Sequence, residues 1–209
     1  MTDVSSDENA ERKCDRRLTI DGVVLTQNFF CAAENATGGA LWDSSLVLWE
    51  RIRRREFASK RILELGSGVG FLAIKLANAG AHVIATDGDN DAMHLLRDNL
   101  KRNNVNDAVK SVPLEWGDEA ASTQLLSTHG PSFDYVVGAD LIYNSDFHEP
   151  LLTTLRAVCS TTTNFLFSYR VRHEDKEQRF LERLQEHFDV VELHPVEGTG
   201  IVYVELKKK

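Results

Sequence analysis

An acidic residue, a run of glycines and a second acid further along the chain could together hold a nucleoside-containing cofactor. The run ELGSGVG at residues 64–70 places a glycine at every second position, and Asp87 lies 21 residues after Gly66. A glycine turn between a strand and a helix brings backbone N–H groups close to a ligand. A carboxylate at the tip of the next strand is placed to accept hydrogen bonds from ribose hydroxyls.

The spacing of the glycines separates the candidate cofactors. A dinucleotide fingerprint reads G-x-G-x-x-G, but Phe71 stands where its third glycine would be, and no G-x-x-x-x-G-K-[ST] phosphate loop is present. Glu64, beside the turn, would repel a pyrophosphate and attract a cationic ligand. S-adenosylmethionine has a sulfonium, an ammonium and an adenosine but no phosphate, so it fits better than NAD. The alternative is a turn whose glycines serve only close packing.

A further acid, Asp140, follows the apolar run at 133–139, and Tyr143 lies three residues beyond it. Ligands of open α/β sheets bind beyond the carboxyl ends of the strands, so Asp140 is expected to face the same pocket. The alternative for Asp140 is an N-cap of the helix that begins near Asp146, for which Asn144 is a nearer candidate.

Alternating strand and helix signals must position these residues. Short apolar runs predict strands at residues 61–66, 82–87, 109–114, 133–139, 163–169, 188–195 and 200–207. Amphipathic runs predict helices at 69–79, 90–103, 119–127, 146–159 and 174–187. The alternation predicts an α/β fold with a Rossmann-like, doubly wound, seven-stranded sheet. Because only the short turn EGTG separates the last two strands, the last strand is expected to run antiparallel.

Ahead of this unit, the sequence predicts an N-terminal β-hairpin and one helix. Residues 18–30 read as a hairpin that turns at Asp21 and Gly22, and residues 42–57 read as an amphipathic helix. Residues 1–16 are polar and are expected to form a disordered tail, which leaves 17–209 as a single domain. The arginines expected on the solvent side of the helix are Arg51, Arg53, Arg54 and Arg55.

Composition limits the partners and the compartment. The 209 residues carry a net charge of −8, which argues against a nucleic-acid partner and suits a basic protein. Three widely separated cysteines without a CxxC pair, and seven histidines without ligand spacing, favour neither a disulfide framework nor a metal site. No apolar stretch approaches the length of a membrane span. The chain is therefore expected to be a monomer in the cytosol, or also in the nucleus.

Four segments together resemble a known family of enzymes. They are TGGALWD at 37–43, ILELGSGVG at 62–70, LEWG at 114–117 and GADLIY at 138–143. The chain resembles, over roughly residues 20–205, the class I methyltransferases, and within them the protein-lysine methyltransferases that include the enzymes acting on Hsp70 and on valosin-containing protein. The D-x-x-Y run and the two tryptophans are more specific for this family than the glycines are.

The resemblance implies S-adenosylmethionine as the cofactor and gives each matching position a role. A tryptophan before the first core helix lines the cofactor pocket, the glycine turn contacts the methionine part, and a second tryptophan lies beside the adenine. The second-strand acid holds the ribose, and the small residue before the D-x-x-Y run contributes backbone near the sulfonium. The cofactor-binding residues so implied are Trp42, Glu64, Gly66, Ser67, Gly68, Asp87, Trp116 and Ala139. For each tryptophan alone, core packing is the alternative.

The catalytic residues implied by the resemblance are Asp140 and Tyr143 of the D-x-x-Y run. Methyl transfer to lysine is an in-line displacement that needs an aligned, neutral amine, whereas a lysine ammonium has a reference pKa of about 10.4. Asp140 can accept a hydrogen bond from the amine, and Tyr143 offers a π-face to a cationic methylated product. A role for Asp140 as a base stays open, because an ionised carboxylate also raises the pKa of a neighbouring amine.

Several interpretations stay open beside a protein-lysine methyltransferase. The nucleophile could be a protein histidine, a protein arginine or a small amine, or the chain could be a catalytically silent cofactor-binding scaffold. An NAD-dependent dehydrogenase is disfavoured because no motif identifies a hydride-handling acid or base. The expected partner is a protein substrate, with a chaperone, a translation factor or an ATPase as candidates. The run SYRVR at 168–172 is either part of the substrate opening or a solvated strand end.

Overall fold

The computed structural model describes residues 15–28 and 37–209. The strands are β1 (Arg16–Ile20), β2 (Val23–Gln27), β3 (Arg61–Glu64), β4 (His82–Asp87), β5 (Val109–Pro113), β6 (Tyr135–Ala139), β7 (Asn164–Arg170), β8 (Phe188–Val196) and β9 (Ile201–Lys208). The helices are α1 (Asp43–Ile52), α2 (Phe71–Asn78), α3 (Asn90–Arg102), α4 (Glu119–His129), α5 (His148–Val158) and α6 (Glu174–Gln185), and a 3₁₀ turn at Ser145–Phe147 precedes α5.

Strands β3 to β9 form a seven-stranded sheet in the order β5-β4-β3-β6-β7-β9-β8. Strands β3 to β7 pair in parallel, whereas β9 runs antiparallel to both β7 and β8. The predicted doubly wound α/β sheet with an antiparallel last strand is therefore confirmed. The short turn at 197–200 reverses the chain, and β9 pairs between β7 and β8, both of which precede it in the sequence.

The two faces of the sheet each support a separate core. Ile62 of β3 and Val137 of β6 pack on the side of α1, α2 and α3. Their sequence neighbours Leu63 and Val136 pack on the other side, against α4, α5 and α6. Both members of each pair are fully buried, which is why these strands read as continuous apolar runs rather than as alternating ones.

The N-terminal hairpin pairs β1 with β2 in the register that the sequence predicts, with Ile20 opposite Val23. Asp21 and Gly22 between them both have positive φ, 47° and 77°, which is the geometry that a two-residue hairpin turn requires. The predicted continuation of the hairpin beyond residue 28 to residue 30 lies outside the described residues. So does the predicted tail, apart from its last two residues.

Buried Asn99 of α3 attaches the hairpin to the main domain. Its Oδ1 accepts a hydrogen bond from the Thr26 nitrogen at 2.7 Å, and its Nδ2 donates to the Thr26 carbonyl at 2.9 Å. The same Nδ2 donates to the carbonyl of Val69, in the glycine turn, at 2.9 Å. One side chain therefore joins β2, α3 and the turn that follows β3.

The helix expected over residues 42–57 is shorter than predicted, and one of its arginines, Arg55, is partly buried instead of fully solvated. α1 ends at Ile52, and the chain turns so that Phe57 is buried edge-on against the ring of Tyr135 at 5.5 Å. Arg55 then turns inward and donates to Glu205 and to the Tyr203 hydroxyl, each at 3.1 Å. The prediction failed because a buried carboxylate on β9 supplies a partner that helical periodicity does not reveal.

None of the described helices has both the length and the apolar character that a membrane crossing requires.

Candidate functional site

A cavity of about 780 Å³ opens at the carboxyl ends of β3, β4 and β6. Parallel strands of an open α/β sheet place their ligand sites at this edge. All ten positions that the sequence singles out contribute to its wall. They are Trp42, Glu64, Gly66, Ser67, Gly68, Asp87, Trp116, Ala139, Asp140 and Tyr143.

The glycine turn is held against the second acid of the pattern. The Gly68 nitrogen donates to Asp87 Oδ2 at 2.9 Å, and the Asp89 nitrogen donates to Asp87 Oδ1 at 3.0 Å. Gly68 has a φ of +51°, and a Cβ at this position would lie 3.0 Å from the Gly38 carbonyl oxygen. The turn therefore needs glycine both for its backbone conformation and for the close approach of the chain before α1.

Glu64 is a buried carboxylate without a full set of partners. Its side chain ends β3, is 3% exposed and lines the cavity. Neither Glu64 Oε2 nor the buried hydroxyl of Ser67 has a hydrogen-bond partner within the described chain. Burial raises the pKa of Glu64 to about 8, and the negative charge of Asp87 adds to that rise. A buried acid and hydroxyl in this state suit a cationic ligand group that donates hydrogen bonds.

Asp87 has the environment of a hydrogen-bond acceptor that faces a ligand. Burial raises its pKa, while its hydrogen bonds from the backbone of Asp89 and Gly68 act in the opposite direction. Each carboxylate oxygen has lone pairs beyond the backbone bond that it accepts. The remaining acceptor positions are available to hydroxyl groups inside the cavity.

Trp116 and Phe147 form an aromatic wall at another side of the cavity. Their rings meet edge to face, with centroids 6.2 Å apart, and a Cβ on Gly66 would lie 3.2 Å from the Trp116 ring. Phe147 is 44% exposed. A half-buried aromatic pair of this kind suits a planar ring as ligand. The sequence pointed to Trp116, but nothing in the spacing around Phe147 distinguishes it from an ordinary helix residue.

Asp140 follows directly on β6 in an unusual backbone conformation. Its φ is +59°, a left-handed value that costs free energy in a residue other than glycine. The Asp140 nitrogen donates to the Ser168 carbonyl of the neighbouring strand β7 at 2.7 Å, and the residue is 7% exposed. It does not cap a helix, because the Asn144 side chain accepts from the Asp146 nitrogen instead.

Arg172 pairs with Asp140, and the sequence did not identify this pair. Arg172 Nη1 donates to Asp140 Oδ1 at 2.8 Å, and Nη2 donates to Oδ2 at 3.0 Å. The Arg170 nitrogen donates to the same Oδ1 at 3.0 Å. Since β6 and β7 are parallel neighbours, residues just beyond their carboxyl ends meet. That topology, applied to the run SYRVR, is the signal that could have revealed the pair.

Tyr143 and Trp42 are joined through one threonine. The Thr37 hydroxyl donates to the Tyr143 hydroxyl at 3.0 Å, and the Trp42 indole nitrogen donates to the Thr37 carbonyl at 3.0 Å. The Arg172 guanidinium carbon lies 5.7 Å from the centroid of the Trp42 ring. The two aromatic residues and the Asp140–Arg172 pair therefore form one side of the cavity.

Charge in the cavity is strongly asymmetric. Among the described residues that line it, six are carboxylates and Arg172 is the only lysine or arginine. No cluster of three or more potential metal-ligating side chains is found in the described ranges. The wall therefore offers many acceptors for a cationic or hydroxyl-bearing ligand.

The sheet order and the position of the cavity define the class: a Rossmann-like fold shared with solved methyltransferases that use S-adenosylmethionine (SAM). One such structure is a glycopeptide N-methyltransferase, MtfA, complexed with SAM. The likeness has a TM-score of 0.61 at 16% identity and covers 79% of this chain and 94% of that one.

The family within this class follows from the sequence comparison. A family model described as lysine methyltransferase matches residues 27–187, and the chain belongs to this family. The protein-lysine methyltransferase METTL21E of Bos taurus is 31% identical over 185 residues, which cover 85% of this chain and 62% of that protein. The protein N-lysine methyltransferase METTL21A of Danio rerio is 33% identical over 159 residues, 74% of this chain and 70% of that one.

The chain thus spans less than two thirds of the length of METTL21E from Bos taurus. The family predicted from the four sequence segments is confirmed.

Proposed function

We propose that the chain is a SAM-dependent protein-lysine N-methyltransferase. The observation that carries the proposal is that Glu64, Asp87 and Asp140, which end or follow three parallel strands, line a single cavity. Two of these acids suit the two ends of an adenosyl amino acid, and the third remains for a nitrogen nucleophile. Membership of the lysine methyltransferase family supports the same reaction.

The cavity fits SAM in its chemistry. The unpartnered oxygen of Glu64 and the unpartnered hydroxyl of Ser67 suit the ammonium of the methionine part, and the Asp87 carboxylate suits the ribose hydroxyls. Trp116 and Phe147 suit the adenine ring, and Gly66, Gly68 and Ala139 allow close approach of the backbone. When bound, SAM supplies a methyl group whose C–S electron pair leaves with sulfur as the amine lone pair forms the N–C bond.

The acceptor side of the cavity is formed by Asp140 and Tyr143, and Trp42, which the resemblance assigns to the cofactor pocket, lies beside them. Asp140 Oδ1 already accepts two hydrogen bonds, whereas Oδ2 accepts one and has a free lone pair for an amine N–H. The methylated nitrogen is cationic until it loses its proton to water, and an aromatic face favours such a cation. These residues orient the amine and exclude water, and no metal is required.

The acceptor is a lysine of a protein with a basic surface. The relatives in this family are named protein-lysine methyltransferases, which supports a protein substrate. The net charge of −8 and the six carboxylates of the cavity favour association with a positively charged partner. A chaperone, a translation factor or an ATPase remains the predicted type of substrate.

The test is methylation of a methyl-depleted cell lysate by the purified full chain with methyl-labelled SAM, followed by mass spectrometry of each labelled band. We expect label on a lysine side chain. Asp140→Asn should lower the rate by about 100-fold or more, because a mispositioned acceptor amine loses the aligned geometry. The affinity of this variant for S-adenosylhomocysteine, measured by calorimetry, should stay within a few-fold of the wild type.

The exposed residue Asp98 supplies a matched control, and Asp98→Ala should label like the wild type. Label on histidine or arginine would redirect the proposal to another nitrogen nucleophile. Binding of S-adenosylhomocysteine by the wild type without label on any protein would instead indicate a silent scaffold.

A further inference from the structure

The pairing of Arg172 with Asp140 bears on a problem in lysine methylation. The reacting amine must be uncharged, but a free carboxylate at hydrogen-bond distance favours the protonated ammonium. If Asp140 acted as an isolated anion, it would bind the acceptor lysine in its unreactive form. The structure supplies a second charge at this position, because Arg172 contacts both carboxylate oxygens.

The Asp140–Arg172 pair is built into the fold. The Asp140 side chain is 6% exposed and that of Arg172 is 28% exposed. Glu177 of α6, which is 2% exposed, accepts hydrogen bonds from the Arg172 nitrogen and the His173 nitrogen at 2.9 and 3.0 Å. Because the backbone at Arg172 is tied down in this way and its guanidinium lies over Trp42, the fork geometry is fixed before a substrate arrives.

The pair still leaves room for one acceptor amine. Of the two carboxylate oxygens, only Oδ2 keeps a free lone pair, since Oδ1 accepts from both Arg170 and Arg172. If the substrate displaced Arg172 from Asp140, the backbone of Arg172 would not need to be fixed by the buried carboxylate of Glu177. Hydrogen bonding to Asp140 also raises the pKa of the Arg172 guanidinium, so Arg172 keeps its charge throughout the working pH range.

We propose that Arg172 is a positioning residue that stays on Asp140 during the reaction, holds the carboxylate in place and cancels its charge, so that Asp140 accepts a hydrogen bond from an uncharged lysine amine. The inference rests on the proposed function. The proton of the incoming ammonium passes to water before transfer, and Asp140 does not need to take it.

Other ionisable groups surround the pair and must be separated from it. Glu64 titrates in the same pH range, so its effect is removed by working with saturating SAM and by measuring cofactor affinity separately. The ionisable groups that interact with the pair from neighbouring elements are Tyr143, Glu177 and Arg170 with its partner Asp43. The other carboxylates that line the same cavity are those of Glu64, Asp87, Asp89, Glu115 and Asp146.

The experiment compares Arg172→Gln, which removes the charge, with Arg172→Lys, which keeps it. The probe is the recombinant form of the protein that the wild type labels in the lysate experiment. Single-turnover rates are measured from pH 6 to 10.5 with enzyme and SAM in excess. Calorimetry with S-adenosylhomocysteine over the same range provides a readout that is independent of activity.

We expect the acid limb of the rate profile of Arg172→Gln to move to higher pH by about one to two pH units. Its rate is then lowest relative to the wild type at neutral pH and recovers in alkali. Arg172→Lys should keep the wild-type midpoint at a lower rate. S-adenosylhomocysteine affinity should be unchanged in both. The matched control is Arg179→Gln, because Arg179 pairs with Asp175 on the surface and is 69% exposed.

Three results would overturn the inference. Equal loss of rate at every pH in Arg172→Gln would assign Arg172 a purely structural role. A faster reaction with a lower KM for the acceptor protein would mean that Arg172 blocks the site and is displaced by the substrate. Binding of S-adenosylhomocysteine without lysine labelling by the wild type would remove the proposed function first, and this inference with it.

Discussion

Asn99 of α3 and Thr26 of β2 exchange two hydrogen bonds, one in each direction, as the backbones of two paired strands do. The side-chain amide of Asn99 thus pairs with the backbone N–H and carbonyl of Thr26 in the way that the backbone of a neighbouring strand would. Because its Nδ2 also reaches the Val69 carbonyl in the glycine turn, the attachment of the hairpin and the shape of the cofactor turn depend on the same side chain.

Asn99→Ala should therefore lower the free energy of unfolding by about 2–4 kcal/mol, because it leaves buried backbone groups of Thr26 and Val69 without partners. Urea denaturation followed by circular dichroism measures this change. Asn106→Ala, at an exposed position in the loop after α3, is the matched control and should change stability by less than about 0.5 kcal/mol. Equal stability of the two variants would contradict the bridging role.

Asp87→Ala should weaken cofactor binding by about 1.5–3 kcal/mol, the contribution of hydrogen bonds to a charged group. The change removes the proposed ribose acceptor and also the two backbone bonds that hold Gly68 and Asp89. Calorimetry with S-adenosylhomocysteine measures the affinity, and Asp98→Ala controls for the loss of one negative charge. Wild-type affinity in Asp87→Ala would exclude Asp87 from the cofactor site.

Glu64 should make the stability of the free chain depend on pH. Its folded pKa of about 8 lies above the ordinary glutamate value of 4.5, so the folded chain retains a proton that the unfolded chain releases. Stability from this group is complete below pH 4.5 and declines as the pH rises towards 8. In urea denaturation, Glu64→Gln should thus have the same free energy of unfolding as the wild type at pH 5 and a higher one at pH 9. The control Glu115→Gln, at an exposed position of the same cavity, should not show this increase at pH 9.

The same group should couple cofactor binding to proton release. An ammonium beside Glu64 favours the ionised carboxylate, so binding of S-adenosylhomocysteine near pH 7 should release a proton from Glu64, up to about one per complex. Calorimetry in two buffers of different ionisation enthalpy measures this number. Glu64→Gln should release almost none. Proton release that persists in this variant would assign it to another group.

The hydrogen bond between Thr37 and Tyr143 should contribute to the stability of the acceptor side of the cavity. Tyr143→Phe and Thr37→Val each remove the hydrogen bond between the hydroxyl groups of Thr37 and Tyr143. The double variant should lose about 1 kcal/mol less free energy of unfolding than the sum of the losses in the two single variants. Thermal unfolding of the wild type, the two single variants and the double variant completes the cycle.

Tyr143→Phe keeps the aromatic ring and should retain a rate of methyl transfer within a few-fold of the wild type, whereas Tyr143→Ala should lose most of it. Equal activity of the two would exclude a role for the ring.

The general architecture was predictable because it depends on local signals. The run at 64–70 and Asp87 follow buried strands, and parallel strands bring their carboxyl ends to one edge whatever their order in the sheet. Trp42 and Trp116 could be placed at the cavity only through the family resemblance, since tryptophan spacing alone predicts packing equally well.

The remaining features depend on which elements are neighbours. The Asp140–Arg172 pair requires β7 beside β6, and the inward turn of Arg55 requires Glu205 of β9 beside the end of α1. Asn99 lies on the helix face that periodicity assigns to the core, but its partner strand belongs to a hairpin more than 70 residues earlier. Pairings over such sequence separations leave no periodic trace in the residues themselves.

The insertion of β9 between β7 and β8 has a consequence for synthesis of the chain. β8 leaves the ribosome first but has no strand to join until β9 follows, since β9 is its only neighbour in the described sheet. A nascent chain that ends before residue 201 therefore leaves the backbone N–H and C=O groups on one edge of β7 unpaired, and such an edge is a template for unwanted intermolecular pairing. Completion of the sheet is necessarily a late event in biogenesis, and translational pausing before β9 would prolong the period of risk.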